Sequence, residues 1–547
     1  MKYGYVWLAI IIALTAFLGW QASKVTLSYE FSRAIPTDNQ KYLDYQQFKK
    51  KYGEDGNLMV IGIQTKDFFK AEVFNDYVSL VSNIKKVSAV DDVISVPTSI
   101  YLARVEETEK LQALQIFPDS VNTQQQIDSS KNLFLSLPFY KGLLYNAETG
   151  AWLMGVKING PVLNSPARIK VVDDIVKLTD SFGAKHNTEI HLSGLPLIRT
   201  MIADRIQKEM RLFLVGSILL SAVILLIFFR SFSATLLSLA VVIIGVVWSL
   251  GVMNLFGYKI TLLTALIPPL IVVIGIPNCI YFLNKYHSSY KENNNKEQAL
   301  VNMISKMGVV TLFCNIAAAI GFAVFALTKS QILKEFGLVA GINIMALFFI
   351  SLVIIPVALN ALPVPKKRHT KYLENKILNG WLHRLEVWSL NHRKIIFATT
   401  AIVLVISIAG LFRLQSVGYI VDDLPKTDKI YTDLKFFEEN FKGVMPLEIV
   451  VDTKKKYGVT RNLNNLIKID SLTQWLSSQN YIGKPLTITE GLKFAKQAFF
   501  EGDSTFYIMP GENDMLALRP YLAGNSDTAA STNSFSKLVN SPSKTRK

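Results

Sequence analysis

Residues 257–287 read GYKITLLTALIPPLIVVIGIPNCIYFLNKYH, and no charged residue falls between Leu262 and Leu283. About 20 apolar residues in helical conformation cross the roughly 30 Å hydrocarbon core of a bilayer, so this stretch reads as a membrane span. Pro268, Pro269 and Pro277 interrupt it, each without a backbone donor, and Asn278 and Cys279 stand at membrane depth. The prolines predict a helix break, and carbonyls freed in hydrocarbon need a partner. The span therefore belongs at the centre of a bundle, surrounded by protein or lining a polar cavity.

The rest of the composition agrees. Of 547 residues half are hydrophobic and only 18% charged, with a formal charge of +16. This balance describes an integral membrane protein with sizeable water-exposed parts. Lys and Arg gather beside the apolar runs, the bias of cytoplasmic loops, so no nucleic-acid partner is expected. The two cysteines, Cys279 and Cys314, both lie in apolar runs, and no disulfide framework supports the polar regions. The six His have no ligand spacing, and HExxH, GxSxG, paired CxxC and phosphate-cradling glycine loops are all missing from the sequence. No catalytic residue, metal or cofactor is expected, and the chain does not read as an enzyme.

In chain order, residues 1–23 form a first span. Its run Tyr5–Trp20 followed by Gln21-Ala22-Ser23 also has the outline of a cleaved signal, but the repeat described below makes it a retained helix. Residues 24–210 read as an α+β domain, with strands at 57–64, 92–96, 150–158 and 189–193 and helices at 74–87 and 166–182. Residues 211–362 hold five spans, Leu212–Phe229, Ala234–Met253, Leu262–Leu283, Val309–Leu327 and Gly337–Leu359. Residues 363–394 form a basic linker opened by Lys366-Lys367-Arg368-His369, in which 372–390 carries Leu373, Ile377, Leu378, Trp381, Leu382, Leu385 and Trp388 at helical spacing. That spacing predicts an amphipathic helix on the membrane surface. A seventh span at 395–413, a partial second outside domain at 414–522 and a polar tail at 523–547 follow. Loop charge puts the amino terminus in the cytoplasm and the large domain on the other side of a cell inner membrane.

The chain repeats itself. Ile35-Pro36 matches Leu424-Pro425, Tyr42 matches Tyr431, Asp44 matches Asp433, Phe48 matches Phe437 and Tyr52 matches Phe441, every pair 389 residues apart. At the same offset Leu58–Ile61 falls on Leu447–Val450, which predicts a second strand there, and the run at 395 falls on the first span. A span before each of two matched soluble domains is a transporter architecture. Leu522 corresponds to Leu133, so the later part of the first domain has no counterpart in these residues.

Phe229-Arg230-Ser231-Phe232, the run WSLGVMNLFGYKITLLTALIPPLIVVIGIP from Trp248, AAAIGFAVFAL from Ala317 and Glu335-Phe336-Gly337 together resemble the resistance-nodulation-division superfamily. The nearest branch is that of the MMPL-like exporters, relatives of Patched and of sterol-sensing domains. The resemblance runs in order from residue 1 to about 522. It implies an integral membrane α-helical bundle, seven spans of it in this chain, with α+β extracytoplasmic porter-like domains. It also implies twelve spans in the full assembly and proton-driven export of lipid-like molecules. The remaining spans are then expected from a carboxy-terminal half or a second chain, or the chain is a truncated exporter that is inactive alone. Membrane lipids and a hydrophobic substrate are the expected partners, and homo-oligomerisation is left open.

The family pattern has an aspartate on the fourth span where this chain has Asn278, and an amide does not titrate. Asn278, Tyr281 and Lys285 fall at i, i+3 and i+7, one helical stripe from mid-membrane to the inner surface, and form the candidate relay. Glu335, at a span end, is the candidate titrating group, since intramembrane carboxylates are the usual proton carriers. For Asn278 the plainer role is a hydrogen bond to a carbonyl freed by the prolines. Asn315 and Asn343 read as packing contacts, and Gly337 with Gly341 as a close-packing pair. A non-pumping lipid-binding or regulatory membrane protein of the sterol-sensing kind is the alternative to an exporter.

Overall fold

The computed structural model describes residues 4–26, 38–52, 56–105, 110–118, 122–261, 263–374, 376–414, 425–443, 447–455, 458–459 and 462–522. The Ile35-Pro36 and Leu424 positions of the repeat, Leu262 and the tail 523–547 lie outside them. The chain packs as two units, one drawn from within Met1–Phe48 and Ile202–Gly418, the other from within Lys49–Met201 and Tyr419–Lys547.

In the first unit, seven helices among the described residues are long and apolar enough to cross a membrane. They are Gly4–Ala22, Leu195–Phe229, Phe232–Leu255, Thr264–Asn293, Lys296–Leu327, Gln331–Ala361 and Arg393–Leu411, numbered below as spans one to seven. Each contains the run that the sequence marks out, apart from its outermost residues. The helices outrun their apolar segments because charged flanks such as 195–211 and 296–308 are also good helix formers. The fourth and sixth spans bury 56% and 61% of their most apolar windows, against 11% for the first, second and fifth and none for the seventh. The proline-bearing helix is therefore central, as its backbone chemistry requires.

Small residues let the central helices close. A Cβ on Gly275 would lie 2.9 Å from Val242 and 3.2 Å from Leu347, and one on Gly245 would lie 2.8 Å from Leu347, so the third, fourth and sixth spans meet through glycine. The first span is tied to the third by Trp248 Nε1 donating to Thr15 Oγ1 (2.9 Å) and Asn254 Nδ2 donating to Gln21 Oε1 (2.8 Å). The fifth and sixth spans are joined at both ends. At one, Gly337 backs onto the Phe322 carbonyl, where no Cβ would fit. At the other, Lys296 Nζ donates to the carbonyls of Asn360 and Leu362, each at 2.7 Å, closing off orphan acceptors at a helix carboxyl end.

Among its described residues the second unit has seven strands: β1 Leu58–Gln64, β2 Val90–Ile94, β3 Ile100–Val105, β4 Lys110–Gln115, β5 Tyr145–Asn146, β6 Ala151–Ile158 and β7 Ile190–Ser193. The main sheet runs β2-β6-β1-β7, with β5 on β6, and every pairing is antiparallel; β3 and β4 form a separate hairpin. Period-two alternation serves both faces of β1. Met59, Ile61 and Ile63 join a core with Phe74, Tyr77 and Val171 from the helices Ala71–Lys85 and Arg168–His186, while Val60 packs with Phe436, Phe437 and Phe441 of the helix Lys429–Phe441. Gly62 is small because a Cβ there would come within 2.9 Å of Phe437.

The repeat is visible in the helices. Gly4–Ala22 and Arg393–Leu411 are 19 residues each, and Gln40–Tyr52 and Lys429–Phe441 are 13 each, both pairs 389 apart. The strand expected at Leu447–Val450 is not formed, and Leu447, Ile449 and Val450 are exposed. A strand needs ladder neighbours: β1 lies between β6 and β7, and among the described residues nothing pairs with 447–450. The 414–522 stretch, expected as an α+β part-domain, has helices and no strand among its described residues, with Leu463–Ser477, Ile488–Phe499 and Glu512–Leu522 following Lys429–Phe441. It packs within the same unit as the first domain. The linker forms a short 3-10 turn, Lys371–Glu374, then the helix Lys376–Asn391. Trp381, Leu382, Leu385 and Trp388 of that helix are exposed.

Candidate functional site

The fourth span begins with a 3-10 turn, Thr264–Leu266, and continues as one α-helix, Ile267–Asn293. Pro268 and Pro269 occupy its first turn, where a missing N–H has no intrahelical acceptor to lose, so they start the helix instead of breaking it. Pro277 alone lies inside, and the helix runs through it. Its absent N–H leaves the carbonyl of Val273 without the usual i, i+4 donor.

The next residue, Asn278, is 3% exposed, yet it does not serve a freed carbonyl. Its side chain pairs with Asn315 of the fifth span, itself 2% exposed. Asn278 Nδ2 donates to Asn315 Oδ1 and Asn315 Nδ2 donates to Asn278 Oδ1, both at 3.1 Å, and Asn315 Nδ2 also donates to the Thr311 carbonyl at 2.7 Å. This is a reciprocal amide pair at the bundle centre, a neutral bolt between two spans. Cys279 Sγ faces the Ser238 carbonyl of the third span at 3.9 Å.

The other expected members do not join it. Tyr281 is 42% exposed and Lys285 partly exposed, while Phe282, Leu283, Tyr286 and His287 are buried. The stripe Asn278, Tyr281, Lys285 therefore leaves the protein interior after its first residue. Asn343 is buried in the sixth span and donates to the Val339 carbonyl of its own helix (2.7 Å), with its Oδ1 unpartnered among the described residues. Glu335 is 2% exposed near the start of the sixth span, and its Oε1 accepts from Gln331 Nε2 at 3.1 Å. Gly341 comes close to the Ala319 carbonyl, 3.2 Å from a built Cβ, so Gly337 and Gly341 act as a packing pair.

Sequence reasoning missed two polar assemblies. At the far end of the fourth span, Tyr372 donates its hydroxyl to Asn284 Oδ1 (3.0 Å) and lies 3.4 Å from His287 Nδ1, with Phe228 and Phe229 packed around its ring. In the second unit, Lys493 Nζ bridges Asp470 Oδ1 (2.6 Å) and Glu490 Oε1 (2.8 Å), and Tyr507 donates to Glu490 Oε2 (2.8 Å). Lys484 Nζ, 3.8 Å from Glu490, donates to the carbonyls of Pro138 and Phe139 at 2.7 and 2.8 Å. Burial pushes Lys484 down to about 8 against the upward pull of Glu490. Burial also opposes the charge of Lys493, but hydrogen bonds with Asp470 and Glu490 outweigh it and hold the amine above its ordinary range. Elsewhere in the second unit, Asp433 is 2% exposed, contacts His191 Nδ1 (2.9 Å) and accepts from the Leu192 backbone N–H (3.0 Å), fastening Lys429–Phe441 to β7. Asp433 was marked by the repeat, but nothing local to it names His191.

Comparison with known proteins places these observations. A Methanocaldococcus jannaschii protein named as a membrane protein, MJ1562, is 23% identical over 385 residues, which cover 67% of this chain and 91% of that one. A Mycobacterium tuberculosis protein named as a probable transport protein, MmpL12, is 22% identical over 222 residues, 40% of this chain and 19% of that relative, in two strains. The match to the MMPL family model covers residues 45–390, which take in the second to sixth spans, the amide pair and the proline-led fourth helix. A chain with seven helices fit to cross a membrane and this match over more than half its length is a membrane protein belonging to the MMPL family.

Proposed function

We propose that the chain is a secondary membrane transporter of the resistance-nodulation-division and MMPL kind, and that it exports a hydrophobic or lipid-like substrate. The observation that carries this reading is the family match, which contains all the central spans; the name of MmpL12 supports it. Transport, and no bond-making chemistry, is the role. The amino terminus lies on the cytoplasmic side of a cell inner membrane, the second unit on the outer side, and Lys376–Asn391 rests on the inner surface. Coupling to a proton gradient runs through Glu335 and not through Asn278, whose amide neither gains nor loses a proton.

A non-pumping lipid-binding role is favoured by one observation, the neutral pair Asn278–Asn315 where the family resemblance places a carboxylate. Reconstitution separates the two. The full chain in liposomes is expected to move a fluorescent phospholipid analogue across the bilayer under an imposed pH gradient. Glu335→Gln is expected to remove the gradient dependence, and Asn278→Asp to alter it. Movement indifferent to the gradient in all three proteins would leave the lipid-binding reading standing.

A further inference from the structure

Spans alternate direction, so Phe229 at the end of the second, Asn293 at the end of the fourth and Arg393 at the start of the seventh lie on one face of the membrane. The linker is pinned to that face at both ends. Tyr372 packs on Phe228 and Phe229 and donates to Asn284 Oδ1 (3.0 Å), and the helix Lys376–Asn391 leads straight into the seventh span at Arg393. At 1.5 Å per residue that helix is about 24 Å long. With both ends on one face it does not cross the bilayer. Trp381, Leu385 and Trp388 stand at i, i+4 and i+7 with Leu382 beside them, one stripe in which every side chain is more than half exposed.

Cations flank this stripe. Residues 366–394 contain eight Lys or Arg and two Glu. Lys366, Arg368, Arg384, Arg393 and Lys394 are exposed, and none has an ion pair among the described residues; Glu386 lies 3.6 Å from His383 instead. Partial burial, and after it the charges of Arg368 and Lys366, hold His369 below its ordinary range, the mark of cations that no nearby acid offsets. An exposed apolar stripe between unpaired cations matches a surface that is apolar within and negative at its rim. We propose that the linker is a binding surface for anionic phospholipids, with Trp381, Leu382, Leu385 and Trp388 among the acyl chains and Arg384, Arg393 and Lys394 against the headgroup phosphates. A zwitterionic headgroup is the poorer partner, because its phosphate comes with a cation of its own. The proposal rests on the surface position given to Lys376–Asn391 above and not on the chain being a transporter.

Amide hydrogen exchange of residues 376–391, read by mass spectrometry on the full chain in nanodiscs of phosphatidylcholine with and without phosphatidylglycerol, tests it. A Lys or Arg beside an anionic surface is worth about fivefold in binding. Exchange is therefore expected to slow by roughly tenfold or more when phosphatidylglycerol is present, and high salt is expected to erase most of that gain. Replacing Arg384, Arg393 and Lys394 together with Gln is expected to remove the lipid dependence and leave the slower exchange that the apolar stripe gives in both discs. Trp381→Ser with Trp388→Ser is expected to lose protection in both. Equal protection in the two lipids would overturn the proposal while the surface position stands, and no protection in either would sink both. Lipid dependence unchanged in the triple Gln variant would also overturn it. So would equal slowing by free glycerophosphate added to phosphatidylcholine discs, which would mark a site for soluble phosphate.

Discussion

Both units bury polar groups, but of different kinds. At the centre of the membrane bundle the buried partners are two amides, Asn278 and Asn315, which satisfy each other and carry no charge. In the second unit the buried partners are ions: Lys493 between Asp470 and Glu490, with Lys484 and Tyr507 at the edge. The difference follows from the cost of failure. An ion in hydrocarbon has no water within reach when its partner moves, whereas one in a water-exposed unit can be rehydrated by local opening. Neutral amides suit helices that must shift against one another. Ion clusters suit a joint that stays shut.

That contrast can be broken most directly at Lys493. Replacing it with Met removes the cation that bridges the buried Asp470 and Glu490 and leaves Glu490 with Lys484 at 3.8 Å, which is expected to cost about 3–5 kcal/mol. Limited proteolysis of the full chain is then expected to cut within 463–522 at far lower protease concentration than in the parent. Unchanged resistance would mean that the cluster is not the joint.

A smaller effect is expected in the membrane. Asn315→Leu strands the Asn278 amide and is expected to cost about 0.6–1.7 kcal/mol, the range measured for hydrogen bonds between spans. The double change of Asn278 and Asn315 to Leu is expected to recover most of it in a detergent melt, because neither amide is then left alone. A double variant worse than the single would show that the pair does more than hold two helices together.

The smallest effect sharpens the ionic side. Because Lys484 titrates at about 8 in the folded unit, below the ordinary 10.5, the folded form releases its proton before the unfolded form does. Its contribution to stability is therefore lowest below pH 8 and rises as pH climbs from 8 to 10.5. The neutral amine keeps two N–H donors for the Pro138 and Phe139 carbonyls, so the joint survives the change. The melting temperature of the parent minus that of Lys484→Met is expected to grow across this window, and a difference that shrinks would reverse the assignment.

Much of this architecture was legible in the residues, because span length and strand alternation are written along the chain. NLMVIGIQ announces β1, and the charge-free run from Leu262 announces a central helix. What lies across the chain was not legible. Asn315 was marked as a packing residue, but its partner depends on the rotation of two helices, which no local pattern encodes. The prolines misled because their effect depends on position: Pro268 and Pro269 would break a helix interior, yet they sit in its first turn. Leu447–Val450 copies β1 in apolar pattern but forms no strand, since a strand is a relation between segments. Lys493 and Glu490 stand three residues apart on one helix, a local relation, but Asp470 meets Lys493 only because Leu463–Ser477 packs there.

The fifth and sixth spans, fastened by Lys296 at one end and pressed together at Gly337 on the other, have a consequence for motion. Sliding one past the other by a helical turn would unseat the ammonium from both carbonyls and drive side chains into the Phe322 main chain. The two must travel as a single oar. Their link to the fourth span includes the Asn278–Asn315 contact, where two amides can trade partners without either ever bearing charge, so a stroke of that oar would be felt along the fourth span.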